Sequence, residues 1–212
     1  MNTVTEENYL KALHHLADEL GEVNVGALSK HLNLKMPTVT SLMKKLADKQ
    51  LVHYESYKPL KLTESGLLRA RMVIRKHRLT EMFLEKVMGF SWEEVHEIAE
   101  QIEHINSPLF FDKMDELLEY PKADPHGSPI PNREGELVME KLRKLSDCLV
   151  NETVEICAVN NTTSGFLQHL NLKAITLGTV VTITNVDDYD KTVTVSYNEK
   201  TTTISAMVGG QL

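Results

Sequence analysis

His96, Glu100, Glu103 and His104 crowd into one stretch, SWEEVHEIAEQIEH. Read as a helix at about 100° per residue, their side chains fall within an arc of roughly 100°. Imidazole nitrogens and carboxylate oxygens on one face are donors for a divalent first-row metal. Just upstream, KHRLTE spaces His77 and Glu81 four residues apart, again on one helical face. Two such faces can build a divalent-metal site. A solvated helix face is the plainer alternative for the same residues.

The elements that must position these side chains can be read from periodicity and punctuation. Residues 5–20 place Tyr9, Leu10, Leu13, Leu16 and Leu20 at helical spacing, with Thr5 as the predicted N-cap and Glu6 and Glu7 in the first turn. A short helix follows over residues 25–32, then the turn NLK. A third helix starts at Met36-Pro37 and runs through TVTSLMKKLADKQ. Two short helices around a tight turn predict a helix-turn-helix. Val39, Leu42, Met43 and Leu46 face inward, while Thr38, Thr40, Ser41, Lys44 and Lys45 offer hydroxyls and charges. LVHYES and PLKLT then alternate like two short strands bending near Tyr57-Lys58-Pro59, which makes the head a winged helix.

The sequence predicts a long helix from about Glu64 to Met88, ended by Gly89. Ser91 caps the next helix with Glu94 as its capping-box partner, and that helix runs to about Ile105. A further amphipathic helix covers roughly 107–119. YPKADPHGSPIPNREGE holds four of the seven prolines and reads as a linker or ordered loop, followed by a charged helical piece over 135–146. Beyond it, VEICAVN, TVVTITNV, KTVTVSY and TTTISAMV predict a small all-β domain.

The net charge of −7 at first argues against a nucleic-acid partner, but its distribution argues otherwise. Residues 1–75 carry +3 and residues 76–212 carry −10, a mildly basic head on an acidic body. No run of 18 apolar residues predicts a membrane span, and MNTVTEENYL lacks the basic and apolar regions of a signal peptide, so the cytoplasm is expected. Cys148 and Cys157 make no CxxC pair, which argues against a structural zinc site or disulfide framework, and Cys157 is expected to be a buried small residue.

TEENYLKAL, MPTVTSLMKKL, LTESG, RKHRLTE with VHEIAEQIEH, and DPHGSPIP, in that order, resemble the DtxR/MntR family of metal-dependent transcriptional repressors. FLQHLNLKAITLG adds the mark of the long form, which carries a C-terminal SH3-like (FeoA-type) domain. The resemblance spans nearly the whole chain. It implies an α+β protein: a winged helix-turn-helix DNA-binding domain (1–73), a helical metal-binding and dimerisation domain (74–132), a linker (133–150) and a small SH3-like β-barrel (151–212).

The resemblance also implies a site for each partner. The primary metal site of the family falls on Asn8, Glu100, Glu103 and His104. Relatives usually carry Asp or Met where this chain has Asn8. Lys11 stands where short manganese-sensing relatives have a second carboxylate. An ancillary site falls on His77 and Glu81, to which some relatives add His96 and others the positions of Asp124 and His126. Glu100 stands where iron-sensing relatives have Cys, so the resemblance implies Mn(II), with Fe(II) as the alternative. Lys35, Pro37 and Ser41 fall nearest the base edges of double-stranded DNA, and Lys44 and Lys45 nearest phosphates. The expected protein is a homodimeric repressor that binds a palindromic operator with metal as corepressor, and has no catalytic residues.

Two rivals remain. A winged-helix regulator of an organic ligand would make the acidic cluster incidental. A helical di-metal enzyme needs Glu-x-x-His on each of two helices. Here Gln101 stands three before His104, and Glu81 follows His77. Nucleophile-elbow and phosphate-loop signatures are absent as well.

Overall fold

The computed structural model describes residues 3–138 and 141–212. The chain divides into two compact units. One comprises Met1–His77, Glu100–Phe111 and Pro131–Leu137; the other comprises Arg78–Ala99, Asp112–Ile130 and Val138–Leu212.

The first unit opens with α1 (Val4–Leu20). Its N-cap is Thr3 rather than the predicted Thr5. The Thr3 hydroxyl accepts from the Glu6 N–H and the Glu6 carboxylate accepts from the Thr3 N–H. Such a box needs a hydroxyl three residues before the acid, a spacing that Thr5 does not have with Glu6 or Glu7. Next come α2 (Val25–His31), capped by Asn24, and α3 (Met36–Asp48), with Pro37 in its first turn. Asn33, at φ 52°, makes the tight turn between them. β1 (Val52–His53) then pairs antiparallel with β2 (Lys61–Leu62) to form the wing, and Tyr57 sits in its turn at φ 66°. Tyr9, Leu10, Leu13, Leu28, Val39, Met43 and Leu46 form one core under the three helices. Each such side chain contributes about 1.5–3 kcal/mol by leaving water, which fixes how α3 is presented.

α4 (Glu64–Lys86) follows directly. The Thr63 hydroxyl accepts from the Gly66 N–H, and a Cβ on Gly66 would lie 1.9 Å from the Leu51 carbonyl oxygen. Only glycine allows α4 to start that close to the wing. The helix ends at Lys86, and Gly89 turns the chain at φ 76°.

Only half of the predicted box of Ser91 and Glu94 forms: the Glu94 carboxylate accepts from the Ser91 N–H and hydroxyl at 2.9 and 2.7 Å, but the Glu94 N–H donates to the Ser91 carbonyl instead of the hydroxyl. α5, however, covers only Val95–Ile102, so Glu103 and His104 lie just past its end in a turn. The four residues first read as one helical face are therefore split. α6 (Pro108–Leu117) comes next. The proline-rich stretch is an ordered loop, in which Asp124 Oδ1 accepts from the backbone N–H groups of His126 and Ser128 at 2.8 and 2.9 Å.

The charged helical piece predicted over 135–146 is not helical at 135–138 or 141–144, and residues 139–140 lie outside the described residues. Asn132 diverts the chain, its side-chain oxygen accepting from the N–H groups of Glu134 and Glu136, and Gly135 adopts φ 77°. A 3-10 turn at Leu145–Asp147 leads into the C-terminal fold, where Leu145 and Cys148 join the core. That fold comprises β3 (Thr153–Glu155), α7 (Ser164–Leu172), β4 (Val180–Val186), β5 (Val193–Tyr197), β6 (Lys200–Ile204) and α8 (Ala206–Gly209). Its strands form an antiparallel meander in the order β3-β4-β5-β6. Among the described residues the sheet pairs β3 through β6 without β3 meeting β6: β3 has three residues, and after β6 the chain enters α8. Alternation turns Ile156 into the core and leaves Cys157 exposed, contrary to the expectation of a buried thiol. No helix among the described residues is long and apolar enough to cross a membrane.

Candidate metal centre

On α1, Glu7, Asn8 and Lys11 share one arc of about 100°. The segment around the end of α5 supplies Glu100, Glu103 and His104. Lys11 Nζ donates to Glu100 Oε1 at 2.7 Å and to both oxygens of Glu103 at 2.7 and 2.8 Å. His77 Nδ1 lies 2.6 Å from Glu103 Oε2. The Glu103 side chain has no exposed surface. A carboxylate taken so fully out of water requires positive or hydrogen-donating partners, and Glu103 gathers them from α1 and α4.

Two atoms are left over. Asn8 Oδ1 and His104 Nε2 are buried without a hydrogen-bond partner. Each such atom costs about 1–3 kcal/mol, so a fold keeps them where a ligand can repay the cost. His104 Nε2 is 3.4 Å from Glu103 Oε1. Its other nitrogen, Nδ1, lies 2.7 Å from Glu7 Oε2. That contact puts the ring proton on Nδ1 and a lone pair on Nε2, the orientation of a metal-ligating histidine braced by a carboxylate. An amide oxygen, two carboxylates and an imidazole nitrogen thus fit a divalent first-row cation. In the sequence, Glu7 is marked only as a first-turn acid. Its pairing with His104 spans 97 positions, and no local signal announces it.

The second unit holds another cluster. Glu81, Asp124 and His126 are all buried, and one ligand atom from each lies within 4.8 Å of the others. His126 Nε2 donates to the Trp92 carbonyl at 2.8 Å. Nδ1 therefore carries the lone pair; it has no hydrogen-bond partner and lies 3.8 Å from Glu81 Oε2 and 4.0 Å from Asp124 Oδ1. Burial pushes the Asp124 carboxyl above its ordinary value and Glu81 adds to this, while Arg78 and His126 oppose it. Burial works against charge on His126, but Glu81 and Asp124 outweigh it and raise its pKa. The cluster favours a positive charge, as proton or as metal. His96 Nδ1 stands 3.2 Å from Glu81 Oε1, on a half-exposed side chain. His77, grouped with Glu81 in the sequence reading, has Glu103 as its partner here.

On α3 and its cap, Lys35, Pro37, Thr38, Ser41, Lys44 and Lys45 are exposed and Thr40 is half-buried, over the buried Val39, Met43 and Leu46. A shallow cleft of about 460 Å³ joins Thr5 and Tyr9 of α1 to Pro37, Thr38, Ser41 and Lys45. Hydroxyls and ammonium groups on one helical face suit a phosphate backbone.

The models of the iron dependent repressors match in two parts: the N-terminal DNA binding domain over residues 1–60, and the metal binding and dimerisation domain over 63–132. The FeoA domain model matches residues 143–208. The HTH-type transcriptional regulator MntR of Oceanobacillus iheyensis is 32% identical over 155 residues, 73% of this chain and 99% of that one. The chain belongs to the iron-dependent repressor family. The iron-dependent repressor IdeR of Mycobacterium bovis is 34% identical over 127 residues, 60% of this chain and 55% of IdeR. The chain thus spans about half the length of that curated member. A solved member, a manganese-dependent transcriptional repressor in complex with manganese, superposes with a TM-score of 0.87 at 26% identity over 97% of each chain.

Proposed function

We propose that this protein is a metal-activated, DNA-binding transcriptional repressor that controls metal-ion homeostasis and is not an enzyme. The observation that carries the reading is the junction at Glu103. A fully buried carboxylate, a braced His104 and the unpartnered Asn8 oxygen meet on α1, the first helix of the winged-helix unit.

Asn8, Glu100, Glu103 and His104 would hold the cation, which supplies the positive charge that their oxygens and nitrogen lack. Mn(II) is the proposed metal and Fe(II) the alternative, because all four donors are oxygen or imidazole and none is sulfur. With these donors engaged, α1 is drawn against the end of α5, and the core that joins α1 to α3 fixes the tilt of the recognition helix. The metal acts as corepressor by binding the DNA-competent arrangement better than the alternatives. Glu81, Asp124 and His126 form the proposed ancillary site, with His96 at its exposed side and His77 assigned through Glu103 to the primary one.

The family match over a dimerisation domain supports a homodimer. Val87, Met88, Leu109 and Phe110 are apolar and exposed in the single chain, as side chains awaiting a second copy would be. Two winged helices related by a two-fold axis would read a palindromic operator in the cytoplasm, with Lys35, Pro37, Thr38, Thr40, Ser41, Lys44 and Lys45 facing DNA. The test uses duplexes selected from a random pool in the presence of Mn(II). Their affinity is then measured with Mn(II) and with a chelator, and equal affinity in both would sink the reading.

A further inference from the structure

We propose that Lys11 is the resident cation of the Asn8–Glu100–Glu103–His104 site, a tethered competitor that a divalent metal must displace. The proposal rests on the metal-activated reading above and adds the residue that sets its threshold.

The Lys11 ammonium takes three oxygens of the site at once, Glu100 Oε1 at 2.7 Å and Glu103 Oε1 and Oε2 at 2.7 and 2.8 Å. Those are oxygens a metal requires. An ammonium held 2.7–2.8 Å from three of these oxygens stands where a cation bound to the same oxygens would stand, and two cations repel at such separations. Metal and ammonium therefore cannot occupy the site together. Two carboxylates facing one lysine leave a charge of −1, whereas a divalent ion neutralises them, so the metal has the electrostatic advantage. It must first break three charge-assisted hydrogen bonds, which are the strong kind.

Lys11 can leave. Its side chain keeps 20% of its surface exposed, against none for Glu103. A four-carbon stem lets the ammonium swing to water while the stem stays on the helix surface. Until it leaves, Lys11 also keeps the two carboxylates from repelling each other, so the site stays assembled. The unpartnered atoms, Asn8 Oδ1 and His104 Nε2, are the donors that this ammonium leaves unserved.

The experiment titrates Mn(II) calorimetrically into the full-length wild type, K11M and K11R. K11M should bind Mn(II) about tenfold or more tightly than wild type, because the competitor is gone. K11R, which keeps the charge, should stay within about threefold of wild type. A second measurement needs no variant. Brief acetylation of the wild type, read by mass spectrometry with exposed Lys58 as reference, should find Lys11 protected without metal and several-fold more reactive in saturating Mn(II). Mn(II) uptake by the wild type with K11M no tighter, or with Lys11 reactivity unchanged or lower, would overturn the proposal alone. No Mn(II) uptake by any form would overturn it together with the reading it rests on.

Discussion

Glu7 Oε2 lies 2.7 Å from His104 Nδ1, and this contact decides which nitrogen of the ring faces Glu103. With Nδ1 engaged, Nε2 is the nitrogen left buried and unpartnered. Glu7 is therefore a positioning residue for the proposed metal centre, acting through His104. Glu7→Gln keeps the shape and removes the charge that braces the imidazole. Mn(II) affinity should fall by about tenfold to hundredfold, the usual cost of losing such a brace. Unfolding by urea in a chelator should shift by less than about 1 kcal/mol, because the glutamine oxygen can still accept from His104 Nδ1. Calorimetry and denaturation of the same protein check both halves.

Glu103 and Glu100 share Lys11 but should differ sharply in what they contribute. Glu103 has no exposed surface, while Glu100 has 41%. Glu103→Ala strips Lys11 and His77 of their buried partner and should cost about 3–5 kcal/mol in the metal-free protein. Glu100→Ala loosens a screened pair and should cost no more than about 1 kcal/mol. Urea midpoints in chelator for the two variants measure the contrast, and equal losses would contradict it.

Most of the helices, the wing and the C-terminal strands were legible because each rests on a local signal. The alternation of KTVTVSY, Asn24 before α2, and Pro37 in a first turn are of that kind. For the candidate metal centre, the sequence offers the residue types but not their wiring. His96 and His104 share an arc in an ideal helix, yet α5 stops at Ile102 and the two imidazoles reach different carboxylates, Glu81 and Glu7. The partners of Glu103 come from α1 and α4, at separations of 92 and 26 positions. Such pairings are decided by packing, to which a periodicity of 3.6 is blind.

The Glu81–Asp124–His126 cluster gives stability a pH dependence of definite sign. The folded pKa of His126 is raised above 6.5, against burial, by Glu81 and Asp124. That of Asp124 is raised above 3.8 by burial and Glu81, against Arg78 and His126. A raised pKa contributes stability that is full below the unfolded value and is lost as pH climbs through the folded one. For His126 the loss begins near 6.5 and continues upward. His126→Gln should flatten this part of the metal-free stability profile. Comparing variant with wild type cancels His31, whose pKa burial lowers. Stabilisation by Mn(II) should grow over the same window, because deprotonated donors bind it best. Urea midpoints across the window, with chelator and with Mn(II), test both slopes.

Gly127 is fixed by its surroundings. It adopts φ +83°, and a Cβ there would lie 2.2 Å from the Cys157 carbonyl oxygen and 2.6 Å from the Ala158 Cα. Backbone cannot yield as a side-chain tip does. Next to it, the Val159 N–H donates to the His126 carbonyl at 2.9 Å. Gly127→Ala should therefore cost at least about 2 kcal/mol and pry the His126 loop from the C-terminal fold. Metal affinity at the ancillary cluster should drop with it, while the Asn8 and His104 site keeps its own. Urea unfolding and calorimetry resolving two binding steps check this.

Trp92, the only tryptophan in the chain, can report the ancillary cluster directly. Its ring stacks on His126 with centroids 6.1 Å apart, and its carbonyl accepts from His126 Nε2. Its indole N–H donates to Asn171 Oδ1 on α7 at 2.9 Å. A cation held by His126 Nδ1 would alter the stacked ring and, being paramagnetic in the case of Mn(II), quench the indole. Titrating Mn(II) should lower Trp92 emission with the affinity of the ancillary step. His126→Gln should abolish that change, and Glu103→Gln, which disables only the other centre, should leave it in place. Quenching lost in Glu103→Gln but kept in His126→Gln would reverse the assignment of the two sites.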